Sequence, residues 1–408
     1  MTESSISIES HTLDLPPSCI EFCPGYPDYF CVGTYNLVQD EARAQGDVSR
    51  PQNRNGSIVP SAILDLHFQQ LTGKQDVFAV VSSTASLSIF RLTPSAPGGR
   101  TVELISVARV DGVGEDTLFL ACAWHPSTPN IIAVSTSSGE VYIIAINTTK
   151  QSTVVSKIPA ITHDLETWAV AFSPPVFVPL QALDGSNTET YNGHGGFIST
   201  LYSGSDDSLL KYTCVVSPQP VNGSEVSPGF PTGICKLTGH NAGVTAILPT
   251  PIMSPDGGRV VVTGSYDDHV RVYSILDPAT TGGIRRVSCL AEQCLGGGVW
   301  RLKLVSHTTD DGTGCWGLRV LASCMYAGAL VIDISGNAPG KCQVMVRARF
   351  KEHKSMNYGS DFQQRQSLLC ISTSFYDKLL CLWEVKQRWH GNLNSSDCYS
   401  ANLEDYLP

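Results

Sequence analysis

Charge is scarce in this chain, and positive charge most of all. Only 16% of its 408 residues are charged, with 27 Lys and Arg against 37 Asp and Glu, a formal net charge of −10. Nowhere do Lys and Arg cluster. Phosphate neutralisation needs such clusters, so nucleic acid is not an expected partner. No run of about 18 apolar residues occurs, so the chain is not expected to span a membrane. The 14 cysteines include no CxxC pair, which argues against a zinc centre or a redox dithiol. Most of them lie inside apolar runs such as "FLACAWHP" and "LLCISTSF", where Cys acts as a small hydrophobe. The opening "MTESSISIESHTLDLP" starts with an acid and lacks the basic and apolar regions of a signal peptide. These absences lead to the expectation of a cytosolic protein. The GxSxG elbow, HExxH and the Walker loop are missing as well.

What is present is a repeat. Hydrophobic residues make up 42% of the chain, enough for a large folded core. Similar segments stack as "YFCVGTYN" (29–36), "VFAVVSSTASLSIFRL" (77–92), "IIAVSTSSGEVYIIAI" (131–146), "TLYSGSDDSLLKYTCV" (200–215), "VVVTGSYDDHVRVYSI" (260–275), "VLASCMYAGALVIDI" (320–334) and "LLCISTSFYDKLLCLWEV" (368–385). In each complete copy an apolar strand runs into a small or polar turn, and an alternating strand follows. A further short strand precedes each copy, from "CIEFCP" and "AILDLHF" to "GVWRLKLV" and "MNYGSDFQ". Outer strands such as "VELISVARV" and "GICKLTGH" lie between copies. Four strands per repeat predict an all-β fold, a seven-bladed WD-repeat β-propeller. A lone blade exposes its edges and both faces, so the ring has to close. "SISIESHTLDLP" is expected to supply the outer strand that is missing after "CLWEV". The first copy has no third strand in the polar stretch after "GTYN", so the first blade is expected to be incomplete. Residues 1–390 then form a single propeller, with 391–408 as a C-terminal tail.

Within that ring "GSYDD" reads as a turn. Asp267 or Asp268 sits in it, and His240 of "LTGH" reaches toward it across the blade. Two segments depart from the "GH" form: "HDLETW" puts His163 five positions before Trp168, and "HKSMNY" puts His353 five positions before Tyr358. The first residue of an innermost strand lies near the central channel. The equivalent slot after "GGGV" holds Trp300, followed by Arg301. Trp168, Trp300 and Tyr358 are therefore expected to converge on one channel mouth, with His163 and His353 behind them. Asp361 in "YGSDF", Asp206 in "GSDDS" and Tyr376–Asp377 in "SFYD" are expected to brace turns rather than line the mouth. Ser265, Ser374 and Cys324 fall in or near turns, and none makes a convincing nucleophile.

With "CPGYPDYFCVGTYNL", "HDLETW", "YSGSDDSLL", "TGSYDDHV", "GGGVWR", "ASCMYAG", "NYGSDF" and "SFYDKLLCLWE", the chain resembles the WD-repeat family named diphthine methyltransferase, more correctly the diphthine methylesterase of diphthamide biosynthesis. The likeness runs from about residue 14 to 385. It implies a methylesterase that hydrolyses the methyl ester of methylated diphthine, a modified histidine of translation elongation factor 2. That factor is the implied protein partner of a monomeric enzyme with no metal and no organic cofactor. The rival reading is a non-catalytic WD-repeat adaptor.

On this resemblance Trp168, Trp300 and Tyr358 would cage the quaternary ammonium of diphthine, each contact contributing roughly 0.5–2 kcal/mol. By sequence, His353 and His163 are the best-placed bases. Arg301, or the backbone amides of Gly297 and Gly298, would serve the oxyanion. His240, Asp206, Asp267, Asp361 and Asp377 are left as turn residues or site support. Direct attack by water is favoured over an acyl-enzyme.

Overall fold

The structure, a computed structural model, describes residues 3–35, 61–95, 99–114, 116–146, 152–155, 158–178, 196–217, 233–276, 285–310, 312–337 and 342–386. Among these residues every regular element is a β-strand. Strands follow one another as antiparallel hairpins, and the alternating segments of the repeat supply them.

Six sheets of four or five strands form blades. Blade A comprises Ile63–Phe68, Val77–Ser82, Leu87–Ser95 and Gly99–Val110, and blade B Phe119–Trp124, Ile131–Thr136, Glu140–Ala145 and Ile161–Thr162. Blade C comprises Thr167–Phe172, Gly196–Ser205, Leu210–Ser217 and Cys235–Leu237, with Val176–Val178 paired to its second strand. Blade D is built from Val244–Met253, Arg259–Ser265, His269–Leu276 and Arg286–Cys294. Blade E is built from Val299–Asp310, Cys315–Cys324, Gly328–Gly336 and Cys342–Phe350. Asn357–Gln364, Leu368–Ser374 and Leu379–Val385 belong to blade F. A seventh sheet has two strands among the described residues, Pro17–Phe22 and Phe30–Thr34. Its inner strand packs between the inner strands of blades F and A. The approach is close enough that a Cβ on Gly359 would meet Ile20, and one on Gly33 would run into Cys19 and Ile63.

The N-terminal segment closes blade F. Ser7–Thr12 runs antiparallel to Leu379–Val385 as its outer strand, as "SISIESHTLDLP" led us to expect. The preceding Glu3–Ser5 instead adds a parallel strand to blade E, with Ser5 opposite Phe350. Three residues thus belong to one blade and the next six to its neighbour. In the same way Ser152–Val155 adds a parallel edge to blade A. In the 249–259 segment the pairing of the first two strands of blade D breaks after Pro249, opposite Val261, and resumes at Met253, opposite Arg259. Residues 36–60 and the 391–408 tail lie outside the described residues.

The core lies between blades. Val260, Val270 and Val272 of blade D pack with Trp316, Leu318 and Leu330 of blade E, and Trp383 of blade F stacks on Phe350 of blade E at 5.0 Å. Each blade therefore buries its apolar face only against a neighbour. A rigid ring results, and its innermost strands set the geometry of the axis.

Candidate active site

One irregularity recurs in all seven sheets. The innermost strand carries a β-bulge at its second residue, so that Ser18, Leu64, Leu120, Trp168, Thr245, Trp300 and Tyr358 are each skipped in the pairing with the next strand. A bulge re-aims the side chain of the extra residue. These equivalent slots form a circle at one end of the channel, and the residues in them are unevenly distributed. Ser18, Leu64 and Leu120 are small or aliphatic, whereas Trp168, Trp300 and Tyr358 are aromatic.

The aromatic slots converge as expected. The Trp168 and Trp300 rings lie 5.5 Å apart although blade D stands between their blades, and Trp300 and Tyr358 lie 5.0 Å apart. Thr245 leaves them room by turning its hydroxyl onto Val299 O at 2.6 Å. The turns after the second strands add a further tier. Tyr266 of "GSYDD" reaches 5.8 Å from Trp300, Phe375 lies 5.6 Å from Tyr358, and Tyr35 lies 4.8 Å from Phe375. Sequence reasoning missed Tyr266, Phe375 and Tyr35. Aligning the residue after each small-residue strand end would have exposed them, because Tyr35, Asp206, Tyr266, Met325 and Phe375 share that slot. Exposed Tyr326 and Tyr376 extend the apolar rim outward.

The two histidines do not join this mouth, which corrects the expectation that they are its bases. His163 is buried, with Nδ1 2.9 Å from Asp207 and Nε2 2.8 Å from the hydroxyl of Ser203. His353 points Nε2 at the Ser372 hydroxyl at 2.7 Å, and Trp383 Nε1 donates to the same oxygen at 3.0 Å. His240 holds the matching place in blade D, 2.9 Å from Thr263 Oγ1. Burial lowers all three imidazoles, His353 and His240 to about 4. They are neutral at pH 7 and tie each blade's incoming loop to its second strand. Of these three, His163 alone has an aspartate on Nδ1, since Nδ1 of His240 and of His353 has no hydrogen-bond partner; what recurs is an imidazole on a fully buried hydroxyl, and that recurrence is a blade brace.

The remaining acids divide. Asp267 accepts from Asn241 N and His269 N and faces Arg271 at 2.8 Å, and Asp377 accepts from Lys354 N and Ser355 Oγ. Both brace turns. In blade C that task falls to Asp207 rather than Asp206, whose carboxyl instead lies beside Trp168 and Tyr266. Ser265 accepts from Asp267 N and donates to Ala242 O, and burial pushes the Cys324 thiol far up. Neither is a nucleophile. Gly297 and Gly298 are buried under the next turn of blade E, where a Cβ would meet Ala327 N at 2.7 Å and Met325 Sδ at 2.9 Å. Packing accounts for both glycines.

Arg301 and Asp361 belong to an ionic girdle below the mouth. Arg301 spans the axis to Asp65 at 2.8 Å, and its guanidinium underlies Trp300 at 5.9 Å. His67 lies 3.2 Å from Asp65 and 2.8 Å from Glu21, while Lys303 lies 3.4 Å from Glu21 and 3.0 Å from Asp361. Burial opposes the imidazolium of His67, yet Asp65 and Glu21 outweigh it and hold the group up at about 9. Burial likewise opposes ionisation of Asp65, but Arg301 and His67 bring it down to about 2. An arginine committed to Asp65 is not a free oxyanion ligand. Among the described residues no group of His, Cys, Asp and Glu is arranged to hold a metal ion.

With this geometry in hand, the chain can be set beside known proteins. Residues 232–274 match the family described as "WD domain, G-beta repeat", the span that contains His240, Thr263 and Asp267. A protein of Schizosaccharomyces pombe named "Diphthine methyltransferase" is 28% identical over 91% of this chain and 95% of its own length. Its namesake in Saccharomyces cerevisiae is 23% identical over 91% and 96%, and the one in Mus musculus 25% identical over 90% and 71%. The chain is a homologue of the proteins named diphthine methyltransferase. Chaetomium thermophilum Sqt1, solved bound to the N-terminus of ribosomal protein L10, superposes with a TM-score of 0.55 at 14% identity, over 94% of this chain and 100% of that one. The fold is a WD40 β-propeller.

Proposed function

We propose that the chain is a carboxyl methyl-ester hydrolase that demethylates methylated diphthine on translation elongation factor 2. The observation that carries this reading is the aromatic half of the mouth, Trp168, Tyr266, Trp300 and Tyr358, three of them in bulged slots whose counterparts across the ring are Ser18, Leu64 and Leu120. A quaternary ammonium is held over such faces, where it needs no hydrogen-bond acceptor. The names of the relatives place them on diphthine, and an α-trimethylammonio acid is what such a cage fits. A basic tip of the factor also suits a chain of net charge −10.

Hydrolysis, rather than the methyl transfer in the relatives' name, fits a mouth that sets one carboxyl, Asp206, beside the aromatic faces. With the reading go a seven-position ring in which the Pro17–Thr34 sheet is the incomplete first blade, a single propeller over 1–390, a monomeric state and a cytosolic location. The test is to incubate the purified full chain with elongation factor bearing methylated diphthine and to follow its mass. Loss of one methyl, released as methanol, is expected. No change with folded protein would favour the adaptor, and a methyl gained in the presence of a methyl donor would favour transfer.

A further inference from the structure

Among the described residues every fully buried acid comes with a cation. Asp65 has Arg301 and His67, Glu21 has His67 and Lys303, Asp361 has Lys303, and Asp333 has Arg319 and Arg347. Half-buried Asp206 and Asp377 do not, but Asp377 accepts from Lys354 N and Ser355 Oγ. Among the described residues no Lys, Arg or His lies within ion-pair distance of Asp206. Its charged neighbours, Glu166 and Asp207, are themselves acids. Lys211 is turned away, donating to Thr162 O at 2.7 Å.

The rest of its surroundings is aromatic. The indole N–H of Trp168, buried and without a well-aligned hydrogen bond, faces the carboxyl, and the Tyr266 hydroxyl lies beyond it, near Tyr35 and Tyr358. Burial pushes the Asp206 carboxyl up, Glu166 and Asp207 add to the rise, and the Trp168 N–H opposes it. The position is built rather than incidental. The backbone N–H of Asp206 donates to Glu166 O at 3.0 Å, and the carboxyl settles over Gly243. A Cβ on Gly243 would overlap Asp206 Oδ1 and come within 3.1 Å of the Tyr266 ring. The loop into blade D is thus cut back where this carboxyl needs space.

We propose that Asp206 is the general base that activates water for attack on the ester, a role that rests on the hydrolase reading above. In an α-trimethylammonio ester the carbonyl carbon is bonded to the carbon that bears the ammonium. A cation held by Trp168, Trp300 and Tyr358 therefore brings the carbonyl to the carboxyl beside Trp168. Asp206 takes a proton from water as the water oxygen bonds to the carbonyl carbon, giving a tetrahedral oxyanion. Collapse of that intermediate breaks the bond to methoxide, which leaves as methanol with the proton from Asp206. The product carboxylic acid then loses its own proton to solvent. No oxidant, metal or covalent enzyme intermediate takes part, and the base is reset.

The experiment compares wild type, Asp206→Asn and Asp206→Glu, each shown to unfold at the same urea midpoint, in single-turnover hydrolysis of the methylated factor. Binding of that factor is measured separately. Asp206→Asn should lose about 10²–10⁴-fold in rate while its affinity for the modified factor stays within a fewfold of wild type. In wild type the rate should rise with pH through a carboxyl titration above the ordinary aspartate range. Asp206→Asn should lose that limb, and Asp206→Glu should keep it. An active wild type with an undiminished Asp206→Asn overturns the base alone. So does an Asp206→Asn that loses affinity while the bound rate is unchanged, since Asp206 would then be only a counter-charge. An inert wild type overturns the hydrolase reading, and the base with it.

Discussion

Trp300 and Arg301 are adjacent in the chain yet belong to two different regions of the channel. Below the mouth, Arg301, Asp65, His67, Glu21, Lys303 and Asp361 alternate in sign, and every charge has a partner from another sheet. At the mouth, Trp168, Trp300 and Tyr358 offer aromatic faces, and among the described residues Asp206 has no cation within ion-pair distance. A charge already paired across the axis is spent on holding blades in place. An unpaired carboxyl among aromatic faces is an unfilled half of an interaction. The two regions are one residue apart because the bulge at Trp300 turns that side chain to the mouth and leaves Arg301 facing the axis.

The largest effect should come from the girdle. Removing one member of a buried pair leaves the other charge uncompensated, so Arg301→Met or Asp65→Asn is expected to lower stability by about 3–5 kcal/mol, read as a shift in urea midpoint. A loss below about 1 kcal/mol, the size of a surface pair, would put the girdle in solvent and erase the contrast with the mouth. The pH dependence follows from His67. Its folded value is raised from 6.5 to about 9, so its contribution is complete below pH 6.5 and is lost as pH climbs through about 9. Thermal midpoints of wild type should decline over that window, and those of His67→Gln should not. Equal slopes in the two proteins would remove His67 from the ionic bridge.

An intermediate effect separates brace from chemistry. His163→Ala and His353→Ala each take one hydrogen-bond partner from a buried hydroxyl, and the first also takes one from Asp207. The expected cost is about 1–3 kcal/mol of stability, with turnover per folded molecule unchanged. A folded His353→Ala protein whose hydrolysis fell by about 10² or more would return that residue to the mechanism.

Much of the ring was legible in the chain because its signals are local. Small-residue turns between alternating strands mark each repeat, and the missing partner after "CLWEV" pointed to Ser7–Thr12. Trp168, Trp300 and Tyr358 were legible because all three open an innermost strand. The parallel additions Glu3–Ser5 and Ser152–Val155 were not, since neither differs in composition from an ordinary edge. The girdle was hidden for another reason: Arg301 and Asp65 are far apart in sequence, and only closure of the ring brings them to 2.8 Å. His163 and His353 misled because spacing gives their distance from the mouth along the chain but not the direction of the ring. In both, a hydroxyl on the second strand draws the imidazole into the blade.

The smallest expected effect is also the most direct test of the mouth as a cation cage. Trp300 touches Trp168, Tyr266 and Tyr358, so its removal opens the cage at its centre. The measurement is the affinity of wild type and Trp300→Ala for elongation factor with and without methylated diphthine, by titration calorimetry on protein shown to be folded. The expected result is a loss of about 0.5–2 kcal/mol toward the modified factor only, with the unmodified factor bound as before. Equal weakening toward both forms would make the aromatic half a plain protein-contact surface and contradict the cage.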